Sequence, residues 1–136
     1  NRTITGRIRT VTNSQTLKSY ITNNTVLTDH LTGVEIDSRG HNMTTDQYGN
    51  MSISGPFCHS EHGCVEMDTL STLLFSGEFD PTDFDSDVSP YAGGPLVLTG
   101  ANGSKIKLIP VNSREYDLEL DAGGDGIYEL SQTYYW

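Results

Sequence analysis

Pro95-Leu-Val-Leu-Thr-Gly-Ala-Asn-Gly-Ser-Lys-Ile-Lys-Leu-Ile109 is the stretch whose reading decides the fold. Two apolar runs, 95–100 and 105–109, flank Ala101-Asn102-Gly103-Ser104. Asn-Gly is favoured at the centre of a two-residue hairpin turn because both central positions need a positive φ. Next comes Glu115-Tyr-Asp-Leu-Glu-Leu-Asp121, then Ala122-Gly-Gly-Asp-Gly126, then a run over 127–136. Strand, glycine-rich loop and strand again predict a second hairpin. Two hairpins in succession predict antiparallel β-structure.

Upstream, the same grammar recurs more weakly. Residues 3–11 alternate, with Ile4 and Ile8 on one face and Arg7 and Arg9 on the other, as a half-buried strand requires. Residues 17–21 and 26–31 read as a hairpin broken at the polar Thr22-Asn23-Asn24. Residues 33–37 run into the turn Ser38-Arg39-Gly40, and 41–46 pairs with 51–54 across the turn 47–50. Over 65–75, Met67, Leu70, Leu73 and Leu74 fit a helical face, while Val65, Met67 and Thr69 fit a strand. The Thr and Ser residues weaken the helix, so strand is predicted. Residues 77–94 are acidic and turn-rich and predict a long surface loop. The expectation is a single all-β domain spanning 1–136, built from eight to ten short strands. An antiparallel up-and-down barrel or a two-sheet sandwich is its natural closure, since either limits exposed sheet edges.

With 136 residues the chain can bury a core without many staples. Eight basic side chains against 18 acidic ones give a net charge of −10, which repels nucleic acid. No window approaches the ~20 apolar residues of a transmembrane helix. No secretory leader is visible, because the first residues already follow a strand pattern. Asn1, Asn23, Asn42, Asn50 and Asn102 each open an Asn-x-Ser/Thr triplet, which acts as a glycan acceptor only on a eukaryotic secretory route.

Three constellations carry candidate chemistry. Asp121, Asp125 and Glu129 sit on a glycine-rich frame at spacings suited to an oxygen-ligand calcium loop, although Gly123 and Gln132 stand where two further ligands belong. Asp83, Asp85 and Asp87 alternate in a second acidic run that a bent loop can turn toward one hard cation. Cys58-His-Ser-Glu-His-Gly-Cys64 reads as a disulfide across a short loop. A zinc set of Cys58, His62 and Cys64 with His30 or His41 is the competing reading, and free thiols are the third. No cofactor is expected, with calcium as the possible exception. There is no Gly-x-Ser-x-Gly elbow, His-Glu-x-x-His helix or phosphate-cradling loop, so no enzyme is expected. Tyr128, Leu130, Gln132, Tyr134 and Trp136 share a face by period two. Such a face is either core or, with Tyr134, Tyr135 and Trp136 stacking on sugar rings, a carbohydrate-binding platform.

The run 94–108, with Leu118-Glu-Leu-Asp-Ala-Gly-Gly-Asp-Gly-Ile-Tyr-Glu129, resembles the C-terminal hairpins of uncharacterised exported or lipid-anchored β-rich proteins of Gram-negative bacteria. Ser54-Gly-Pro-Phe-Cys58 and Cys64-Val-Glu-Met-Asp-Thr69 extend the likeness more loosely. Gly123 and Gly124 replace part of the acidic run found in those proteins. The resemblance implies antiparallel β-structure and a secreted, periplasmic or cell-surface location, and it carries over no functional residue. The expected role is that of a non-catalytic structural or interaction domain of the cell envelope, with a protein or glycan as partner.

Overall fold

The computed structural model describes residues 2–75 and 90–135. They form β1 (Arg2–Asn13), β2 (Lys18–Asp29), β3 (Glu35–Asp37), β4 (His41–Thr45), β5 (Met51–His59) and β6 (Gly63–Thr69). There follow β7 (Leu74–Phe75), β8 (Pro90–Ala92), β9 (Leu96–Thr99), β10 (Lys105–Pro110), β11 (Glu115–Asp121) and β12 (Leu130–Tyr135). Among the described residues there is no α-helix, and the ambiguous segment 65–75 is strand at its two ends, in β6 up to Thr69 and in β7, with a bend at 70–71 between them. The all-β antiparallel expectation holds.

Ten strands pair into one sheet in the order β1-β2-β3-β5-β6-β9-β10-β11-β12, and β4 shares the β3 lane between β2 and β5. The path is linear, so β1 and β12 are its two edges. β7 and β8 form a separate pair. Apart from β8 against β10, the principal contacts between elements are those of ladder neighbours. The described residues hold few buried apolar side chains, Leu73 and Val97 being the hydrophobics of that class.

The two C-terminal hairpins form as the sequence dictates. Asn102 takes φ 60° and Gly103 φ 79°, and the Ser104 amide donates to the Ala101 carbonyl. The second loop is longer than expected: β12 starts at Leu130, not at residue 127, and the Glu129 amide first rejoins the Leu120 carbonyl.

Two expectations need correction. The polar break at Thr22-Asn23-Asn24 is no turn, since β2 runs unbroken through it, paired with β1 on one side and with β3 and β4 on the other. Pairing on both flanks satisfies its backbone, and side chains help: Thr25 Oγ1 donates to Asn23 Oδ1 at 2.7 Å. This is tertiary context overriding weak local propensity. Within the expected loop 77–94, Pro90–Ala92 is a strand that pairs with Leu74–Phe75.

Where β3 passes into β4, Ser38, Arg39 and Gly40 form a bulge. The Ser38 and Gly40 amides still reach the Thr25 and Asn23 carbonyls, at 3.0 and 3.1 Å. Gly6, Gly40 and Gly55 all take positive φ along this line, at 113°, 86° and 109°. Bulges and strand glycines of this kind let a sheet bend, because the backbones approach more closely than a Cβ permits.

Candidate interaction face

Register and side-chain alternation put one class of residue on one side of the sheet. Ile4 opposes Leu27, which opposes Ile36; Ile21 opposes Met43, which opposes Ile53. The row continues through Phe57 with Val65 and through Met67 with Leu98. It ends as Leu98, Ile106, Leu120 and Leu130 in consecutive lanes. Facing partners in a ladder project to the same side, so this face is apolar from one edge strand to the other. The opposite face carries Arg7, Arg9, Glu35, Asp37, Glu66, Asp68, Lys105, Lys107, Asp117 and Glu119.

Water reaches much of the apolar face. Ile4 is 70% exposed, Ile8 61% and Leu130 43%, while most of the remaining side chains are half-buried among their neighbours. Two shallow depressions interrupt it, one of about 260 Å³ lined by Leu27, Val34 and Ile36 and one of about 220 Å³ lined by Ile8, Ile21, Asn23, His41 and Met43. Among the described residues, the only ion pair formed by strand residues of this face is Arg2 with Asp29, 3.2 Å apart at its margin.

His41 Nε2 is buried without a hydrogen-bond partner. Burial holds its imidazole below the usual pKa of 6.5, because a charged ring in an apolar depression loses hydration. The unfolded chain therefore binds a proton first as pH falls, and stability drops as pH passes down through about 6.5. The loss stops once pH lies below the folded-state pKa. Asp29, Asp37 and Asp46, all lowered from 3.8 by hydrogen bonds to amides or side chains, lose their contribution only in the more acidic range. Urea midpoints measured between pH 7.5 and 5 in steps of roughly half a unit should fall for the native chain and stay flatter for His41→Leu. Parallel curves for the two proteins would assign the effect to another group.

The other candidate residues fall as follows. Cys58 and Cys64 are registered partners on β5 and β6, with sulfurs 2.11 Å apart, at disulfide distance. At the end of β5 and in the turn after it, His59, Glu61 and His62 bring ligand atoms within 4.8 Å of one another, a grouping that shares only His62 with the zinc set read from the sequence. The signal was present in the seven-residue spacing, since a turn this tight has to gather its side chains. The two imidazoles stack at 4.5 Å between centroids, and His59 Nδ1 accepts the Glu61 amide at 3.2 Å. The zinc reading also named His30, which lies on another segment and shares a 2.7 Å hydrogen bond with Thr3 Oγ1.

Asp121, Asp125 and Glu129 do converge, again within 4.8 Å. Asp121 is fully buried, and its carboxylate already accepts three amides: Oδ1 from Gly124 at 2.6 Å and Asp125 at 3.3 Å, Oδ2 from Gly126 at 2.9 Å. Glu129 Oε2 accepts the Ala122 amide at 3.0 Å, and Asp125 Oδ1 that of Ile127 at 2.9 Å. The acids thus organise the loop from within. Asp83, Asp85 and Asp87 lie outside the described residues.

Tyr134 and Tyr135 project to opposite faces, so they do not form one platform, and Trp136 lies outside the described residues. Tyr134 stacks instead on Tyr116, 5.7 Å between centroids, on the apolar face. Tyr128 leaves the period-two row: Lys107 Nζ stands 3.7 Å over its ring while also bonding Glu119 at 3.5 Å on the polar side. No helix of the described residues is long and apolar enough to cross a membrane. No known protein family, curated protein or solved structure matches the chain.

Proposed function

We propose that this chain is a non-catalytic interaction domain of an exported or cell-envelope protein, which works by docking its apolar sheet face against another protein layer. The observation that carries the reading is an apolar sheet face open to water at Ile4, Ile8 and Leu130 and half-buried over most of its remainder. A sheet with one apolar side is stable in water when that side meets a second layer, and among the described residues Leu73 and Val97 are the buried hydrophobics. The disulfide-distance pair supports an oxidising compartment. The acidic surface supports solubility there and argues against a nucleic-acid partner. Carbene footprinting combined with sedimentation on one sample tests the reading. Ile4, Ile36, Ile53 and Leu98 should be labelled in a monomer or protected in an assembly. Protection of these side chains in a monodisperse monomer would mean that the chain covers its own face, and the proposal would fall.

A second reading, carbohydrate binding, is favoured by the Tyr116–Tyr134 stack, whose Tyr134 ring remains 37% exposed at an edge strand. Stacked tyrosines offer a flat surface to a sugar ring. Binding on a glycan array that is lost in Tyr134→Ala would support this reading over the first.

A further inference from the structure

Resting on the interaction reading, we infer that the occupant of the apolar face is a second copy of this chain, joined face to face as a two-layer β-sandwich. Area gives the first argument. A compact monomer of 14.9 kDa exposes about 7,000 Å², whereas this chain exposes 8914 Å². The excess, taken over the whole chain, is roughly 1,900 Å², and half of it still exceeds the ~800 Å² that each partner loses in a standard interface. An isologous dimer covers the same patch on both chains at once, so a single surface solves the problem twice.

Charge placement gives the second argument. A net charge of −10 opposes self-association in general. Here the strand charges lie on the far side of the sheet, and the pair on the apolar side, Arg2 with Asp29, is mutually neutralised. Two copies meeting on this face keep their like charges on the outer surfaces, separated by both layers. Sheets packed in this way lie ~10 Å apart and interdigitate their inner side chains. The depressions beside Ile36 and Met43 are of a size to receive one bulky side chain each from the facing layer.

Light scattering and thermal melting of the full chain across a wide concentration range test the inference. The expected mass is twice 14.9 kDa, with a melting temperature that climbs with concentration by mass action. Met43→Lys with Leu98→Lys places four ammonium groups in the closed interface and should weaken association by roughly a hundredfold or more. Thr22→Lys with Ser52→Lys, on the polar face, should leave the mass unchanged. The native chain's own concentration dependence keeps the test decisive if the apolar-face variant fails to fold. A native mass of 14.9 kDa at every concentration overturns the second copy. If the face of that monomer is labelled by carbene, the interaction reading stands with a different partner; if it is protected, both fall.

Discussion

Gly55→Ala is expected to cost about 4 kcal/mol, which leaves only about 1 kcal/mol, with roughly one chain in six unfolded, if total stability is at the low end of the usual 5–15 kcal/mol. Gly55 is buried on β5 with φ 109°, and a Cβ there stands 2.5 Å from the Gly40 carbonyl oxygen and 3.0 Å from His41 Cα. Neither neighbour is the tip of a flexible side chain, so the sheet itself has to shift. Backbone strain of ~1–3 kcal/mol adds to a clash of similar size. Gly33→Ala is the matched control: its φ is 75° but a Cβ meets nothing within 4 Å, so only the strain of about 1–2 kcal/mol remains. Denaturant midpoints of the two variants should differ clearly. Equal losses would mean that the close approach of β5 to the β3–β4 bulge does not constrain the fold.

Asp121→Ala is expected to cost about 3 kcal/mol, because the amides of Gly124, Asp125 and Gly126 lose their acceptor in a buried position. Asp121→Asn should cost nearly as much, since its amide group turns a donor toward a donor. Glu129→Gln, which keeps an oxygen for the Ala122 amide at an exposed site, should cost under ~1 kcal/mol. The consequence reaches the neighbouring hairpin, because Gly124 packs so closely on the 101–104 turn that a Cβ there stands 2.6 Å from the Asn102 carbonyl oxygen. With three amides already on the carboxylate, melting in EDTA and in millimolar calcium should give the same curve. A rise with calcium that vanishes in Asp125→Asn would show that the loop is completed by a cation instead.

The residues themselves explain how much of this was legible in sequence. Asn102-Gly103 encodes its turn locally, so both C-terminal hairpins could be placed, and the alternation of Ile4 and Ile8 with Arg7 and Arg9 gave the first strand. The cysteine pairing followed from closeness in sequence. By contrast, Thr22-Asn23-Asn24 has turn chemistry but strand surroundings, and only pairing with β1 and β4 decides between them. For Asp121, spacing identifies a carboxylate that can face inward, but not the three amides that meet it. Most of all, period two reveals that one face is apolar and is silent on what lies against it. Barrel, sandwich and open sheet share the same pattern.

The central claim is that the apolar face of this sheet is an interface with another copy. Isotope-filtered NOE spectroscopy on an equal mixture of methyl-labelled and unlabelled chains tests it most directly. The account predicts intermolecular contacts from the methyls of Ile36, Ile53, Leu98 and Leu108, and none from Val11, Val26 or Ile109 on the polar side. Contacts confined to the polar-side methyls, or none at all from a monomer, would contradict it.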